Sequence, residues 1–119
     1  NNHVVIDIGG GSTEIVIGES FEVKTLSSLE MGCVSFSQQF FSDNKINNTN
    51  FDNAIAAAKT KLSPVIDSFL SIGWINATGT SGTIKSITHL ISLTEDLDVK
   101  FQGISLDQLY QVQYSILFY

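Results

Sequence analysis

Asp7-Ile8-Gly9-Gly10-Gly11-Ser12-Thr13-Glu14 is the stretch on which the reading of this chain turns. An apolar run, Val4-Val5-Ile6, leads into it, and another, Ile15-Val16-Ile17, leads out. Each run is too short for a helix and rich in β-branched residues, so two strands joined by a glycine turn are expected. Three successive glycines allow positive φ without steric cost and let a ligand approach the backbone. Successive amides in such a turn form a nest for an anion. Ser12 and Thr13 add hydroxyl donors at the same place. Asp7 and Glu14 repel phosphate. They fit beside it if they hold a Mg²⁺, which takes one or two carboxylates together with waters and phosphate oxygens. A tight hairpin whose glycines only solve a turn is the plainer reading, and glycines alone would favour it. Two carboxylates and two hydroxyls in the same stretch favour an anion site instead.

Two better-known glycine loops are excluded. A P-loop needs a Gly-Lys pair, and the chain has none. A dinucleotide fingerprint needs a third glycine where Glu14 stands and a helix afterwards, whereas a strand pattern follows.

Residues 5–14, Met31-Gly32-Cys33-Val34 and Gly79-Thr80-Ser81-Gly82-Thr83-Ile84 together resemble, in order and spacing, motifs of the exopolyphosphatase/guanosine pentaphosphate phosphohydrolase (Ppx/GppA) family. The resemblance spans essentially the whole chain. It implies an α/β protein with a mixed sheet, the RNase H-like half of the actin-like fold shared by sugar kinases and actin. It implies Mg²⁺ dependence and hydrolysis of terminal phosphate from polyphosphate or guanosine pentaphosphate. Gly9, Gly10, Gly11, Ser12 and Thr13 would hold phosphate through amides and hydroxyls. Asp7 and Glu14 would bind the metal, and Glu14 is the local candidate for orienting the attacking water. The family also uses a catalytic glutamate and a further phosphate motif from a first lobe. Residues 1–119 are therefore expected to be one domain, the start of the second lobe of a larger enzyme, inactive alone. A non-catalytic phosphate-sensing module and an actin-like kinase or ATPase lobe are the rival readings.

The chain has 119 residues, 43% of them hydrophobic, enough for one core. Twelve Asp and Glu face six Lys and no Arg, for a net charge of −6. That excludes nucleic acid as a partner and leaves no bidentate guanidinium clamp for phosphate. Anion binding would rest on amides, hydroxyls, a metal and Lys85. No stretch is long and apolar enough to insert in a membrane, and a lone Cys33 fits a reducing cytoplasm.

Along the chain, strands are expected over residues 1–8, 13–18 and 21–29, with a turn at Glu19-Ser20. A short helix follows over 34–41, then a loop over 42–49. The strongest helical periodicity covers 50–70, capped by Asn50 and kinked or broken before Pro64. A fourth strand over 74–78 makes a β-α-β crossover parallel to the first, giving a sheet order 3-2-1-4. Gly79, Thr80, Ser81 and Gly82 then form a loop feeding a helix over 83–93, where phosphate or nucleotide can bind. A loop over 94–100 and a last helix opened by Ser105 complete the chain. Cys33 and Trp74 are read as core residues, and His3 and His89 as non-ligands. The open edge of the fourth strand, or the apolar residues 116–119, would drive self-association into a homodimer.

Overall fold

β-Branched residues on alternate positions make one face of a four-stranded sheet and bury it. The computed structural model describes residues 1–95 and 103–118. β1 (His3–Ile8), β2 (Thr13–Glu19) and β3 (Glu22–Leu29) form an antiparallel meander. α1 (Cys33–Phe40) and α2 (Asn48–Ile72) follow, then β4 (Asn76–Thr80), which pairs parallel to β1. α3 (Ser81–Glu95) and α4 (Leu106–Phe118) close the described chain. The strand order is β3-β2-β1-β4, as the meander and crossover predict.

Val4 and Ile17 are partners across β1 and β2, and Ile6 faces Ile15. All four therefore lie on one face. Phe69 and Val65 of α2 pack there, and Val4, Ile17 and Phe69 are 2%, 0% and 3% exposed. α3 covers the same face further along, with Ile84 lying against Gly79. Fully burying such a side chain is worth about 2 kcal/mol, so the sheet draws its stability from this face. The opposite face presents Val5, Val16 and Leu26, with Leu26 64% exposed. Asp7 and Glu14 are on this second face.

Several boundaries differ from expectation for local reasons. The β2–β3 hairpin turns on Ser20 and Phe21, with φ of 49° and 70°, so β3 starts at Glu22. α2 starts earlier than expected because Asn47, rather than Asn50, is the cap: its side chain accepts the Asn50 amide at 2.9 Å. Of the kink or break expected before Pro64, the break does not occur. α2 runs unbroken through it, and its C-terminal half is held on the sheet by Val65 and Phe69. β4 lies two residues later than expected, because its ladder pairs His3 through Asp7 with Asn76 through Thr80. Trp74 is consequently outside the strand and exposed, not a core aromatic. Cys33 is exposed as well, because it opens α1 at the surface. The expected loop over 94–100 falls mostly outside the described residues. Among the described residues, no helix is long and apolar enough to cross a membrane.

Candidate phosphate and metal site

The β ladder puts Asp7 directly across from Glu14. Thr80 of β4 is the other neighbour of Asp7, and Ser28 of β3 is the other neighbour of Glu14. A polar row thus crosses the sheet on the face away from the core. Like charges directly opposite in a sheet are destabilising. Among the described residues, the side-chain ion pairs are those of Glu19, and no cation pairs with Asp7 or Glu14. Each carboxylate is instead held by a serine. The Ser81 hydroxyl donates to Oδ1 of Asp7, and the Ser12 hydroxyl donates to Oε1 of Glu14 at 2.9 Å. Oδ2 of Asp7 and Oε2 of Glu14 receive no protein donor among the described residues.

The glycine loop is built differently from its sequence reading. None of Gly9, Gly10 and Gly11 has positive φ. The Gly9 amide is used within the turn, donating to the Ser12 carbonyl at 2.9 Å. The carbonyls of Gly9 and Gly10 face the start of α1 and accept from it. Cys33 donates to Gly9 at 3.1 Å, and Val34 and Ser35 donate to Gly10 at 2.9 and 3.1 Å. Carbonyls tied to one side leave amides for the other. Among the described residues, the amides of Gly10, Gly11 and Ser12 donate to no protein acceptor. Three consecutive amides without an acceptor are the donor type from which an anion nest is built.

The role read for Thr13 changes. Its side chain is 3% exposed, and its hydroxyl donates to the Met31 carbonyl at 2.7 Å. It fastens β2 to the segment before α1 and has no proton left for phosphate. The hydroxyl of Ser12 is likewise committed, to Glu14. Gly32, given no role from sequence, turns out to set the loop's position. A Cβ there would lie 2.5 Å from the backbone of Gly9 and Gly10, so only glycine lets α1 close on the loop.

The expected loop over 79–82 is instead a direct strand-to-helix turn. Gly79 and Thr80 are the last residues of β4, and Ser81 and Gly82 begin α3. Gly79 sits on the core face, where a Cβ would meet Ile84 at 2.9 Å, so its smallness serves helix packing rather than phosphate. Gly82 does approach the glycine loop. A cleft of about 380 Å³ is lined by Gly9, Gly10, Cys33, Gly82, Thr83 and Ser86. Thr83, one of the residues lining it, has a buried hydroxyl oxygen with no hydrogen-bond partner among the described residues. The start of α3 therefore forms one wall, where a helix has amides without intrahelical partners. His3 bonds Thr78 at 2.6 Å, and among the described residues no cluster of three or more His, Cys, Asp or Glu could hold a metal. Two carboxylates on paired strand positions, each with one oxygen lacking a protein donor among the described residues, remain a fitting donor set for Mg²⁺, which fills its other positions with water and phosphate.

Residues 1–116 match the profile of the Ppx/GppA phosphatase family. The chain belongs to that family. Guanosine-5'-triphosphate,3'-diphosphate pyrophosphatase of Vibrio atlanticus is 46% identical over 95 residues, which are 80% of this chain and 19% of that protein. The protein of the same name in Vibrio cholerae is 42% identical over 110 residues, 92% of this chain and 21% of the relative. The chain thus spans about a fifth of the length of these relatives. The Ppx/GppA enzyme of Aquifex aeolicus superposes with a TM-score of 0.68 at 24% identity, covering 93% of this chain and 36% of the other. An exopolyphosphatase from Cytophaga hutchinsonii superposes with a TM-score of 0.67 at 20% identity, covering 92% and 37%. The fold of this Ppx/GppA member is that of the actin-like proteins, and the chain supplies its β3-β2-β1-β4 sheet.

Proposed function

We propose that this chain is the phosphate-holding start of the second lobe of a Mg²⁺-dependent hydrolase that removes the terminal phosphate of guanosine pentaphosphate. The observation that carries this reading is the pairing of three amides, at Gly10, Gly11 and Ser12, with two neighbouring carboxylates, the amides having no protein acceptor and the carboxylates no protein cation among the described residues. The activity for which the relatives are named supports the guanosine substrate, and the acidic, arginine-free composition disfavours a long polyanion such as polyphosphate. Both substrates share a terminal phosphoanhydride, so polyphosphate is retained as the competing substrate in the test. A cytoplasmic setting fits the lone Cys33, which has no second cysteine in the chain to pair with.

The amides of Gly10, Gly11 and Ser12 bind the terminal phosphate and orient it. Asp7 and Glu14 would hold Mg²⁺ through Oδ2 and Oε2, and the metal would supply neutralisation of charge on the phosphate oxygens. Glu14, two residues after Ser12 and bonded to its hydroxyl, would orient water through Oε2. Attack of that water forms the new P–O bond while the bond to the bridging oxygen breaks. Inorganic phosphate and guanosine tetraphosphate leave, and the water's proton passes to solvent or to a base of the other lobe.

The test is phosphate release by the full-length protein from guanosine pentaphosphate, polyphosphate and ATP, each with and without Mg²⁺. Asp7→Asn keeps the side-chain size and removes the charge. Its expected effect is a loss of turnover on the order of 100-fold, recovered only in part by excess Mg²⁺. Release of phosphate that needs no Mg²⁺, or an Asp7→Asn enzyme with the parent's rate, would overturn the reading.

A further inference from the structure

We propose that Ser81 is a positioning residue for Asp7: its hydroxyl, carried on the strand-to-helix turn, fixes one carboxylate oxygen so that the other is presented to the metal and phosphate. This inference rests on the metal-assisted reading above and adds to it a residue that acts through another.

Ser81 joins β4 to α3 with φ of 76°. That left-handed conformation is where glycine is the default and an ordinary side chain is a burden. Glycine stands one residue later, at Gly82, and two residues earlier, at Gly79. A serine kept at the strained position, with its side chain engaged, points to the side chain rather than the turn. The engagement is specific. The hydroxyl donates to Oδ1 of Asp7, 74 residues away in sequence, in a half-buried place. A serine hydroxyl has one proton to give. With that proton on Asp7, Ser81 cannot donate it to phosphate as well, so its contribution runs through the carboxylate.

Asp7 needs such a hold. It faces Glu14 across the ladder, and among the described residues no cation pairs with either, so the two carboxylates push apart. A free aspartate at a strand end would rotate away from its neighbour. Ser81 prevents that from the α3 side, while Ser12 restrains Glu14 from within its own turn. The two serines leave Oδ2 and Oε2 as the oxygens without protein donors, one from each strand. Ligands pre-set in this way bind a small cation that tolerates little distortion better than mobile ones do.

Ser81→Gly separates this role from a structural one. Glycine accepts φ of 76° without strain, so the variant folds as well as the parent or better, and only the hydroxyl is lost. Mn²⁺, a hard divalent substitute for Mg²⁺, is titrated into the full-length protein and followed by electron paramagnetic resonance, with thermal midpoints measured alongside. Ser81→Gly is expected to weaken Mn²⁺ binding by about 10- to 100-fold with an unchanged or raised midpoint. Ser81→Asn, which tolerates the left-handed turn and can donate from its amide, is expected to recover part of the loss. In an Asp7→Asn background, Ser81→Gly is expected to cost nothing further. Should Asp7→Asn weaken Mn²⁺ while Ser81→Gly leaves it at the parent value, or adds its full loss in the Asp7→Asn background, the positioning role is wrong and the metal reading stands. Should Asp7→Asn itself leave Mn²⁺ binding untouched, the metal reading falls, and this inference falls with it.

Discussion

The β1–β2 loop and the β4–α3 turn both carry glycines beside the same carboxylates, yet they are held by opposite means. In the loop, backbone is tied to backbone: the Gly9 and Gly10 carbonyls take the first amides of α1, and the remaining amides are left over. In the turn, a side chain is tied to a side chain: Ser81 holds Asp7, and the backbone bends through positive φ to allow it. Glycine is used in the loop for close approach and in the turn for packing, at Gly32 against Gly10 and at Gly79 against Ile84. The one position whose dihedrals ask for glycine is filled by serine. A glycine in a motif is therefore poor evidence for a left-handed turn, and a missing glycine is poor evidence against one.

The comparison breaks most easily at Gly32. A Cβ there meets backbone atoms of Gly9 and Gly10 at 2.5 Å, and backbone cannot rotate aside as a side chain can. Gly32→Ala must push α1 off the loop, losing the three bonds into Gly9 and Gly10. We expect a destabilisation of about 3 kcal/mol or more, read by denaturant unfolding of the full-length protein, together with loss of phosphate affinity. An alanine variant as stable as the parent would mean that α1 does not set the loop.

Gly79→Ala should cost less, because the clash there is with the Ile84 side chain, at 2.9 to 3.1 Å. A side chain can give way by changing rotamer, so about 1 to 2 kcal/mol is expected. Ile84→Val removes the atom nearest the new methyl group, and the double variant should recover part of the loss. Phosphate affinity should hardly change in either variant, since Gly79 faces the core rather than the site. A specific loss of phosphate affinity at unchanged stability would return Gly79 to the site and make the two turns alike.

Strand order and the location of the site were legible because each rests on a short-range pattern. Alternation in Val4-Val5-Ile6 and Ile15-Val16-Ile17 fixes which face is buried, and the turn between them fixes the register that pairs Asp7 with Glu14. The end of β4 was not legible. Gly79 has low strand propensity and begins a run of small residues that reads as loop, but the β1 ladder extends through Gly79 and Thr80 regardless. The commitments of the hydroxyls were not legible either. Ser12, Thr13 and Ser81 look alike as donors in sequence, and only folding decides that their partners are Glu14, Met31 and Asp7. Pro64 misled for a related reason: propensity opposes a helix there, and the packing of Val65 and Phe69 on the sheet overrides it.

The smallest expected effect is the one that separates the two uses of glycine most cleanly. Read from sequence, three glycines in a row supply positive φ, and alanine at any of them would then cost about 1 kcal/mol. The folded chain gives Gly11 no positive φ and places nothing within 4 Å of a Cβ built on it. Alanine keeps the amide, clashes with nothing and lowers the entropy of the unfolded chain. Gly11→Ala should therefore raise stability by a few tenths of a kcal/mol, up to about 1 kcal/mol. Phosphate affinity should stay near the parent's, because the nest loses no donor. Thermal unfolding and phosphate titration of the same full-length sample measure both. A loss of about 1 kcal/mol or more would show that the loop does pass through left-handed backbone. It would also put the β1–β2 loop in the same class as the turn at Ser81. A stable variant that no longer binds phosphate would instead locate the anion against Gly11 itself, where a methyl group stands in its way.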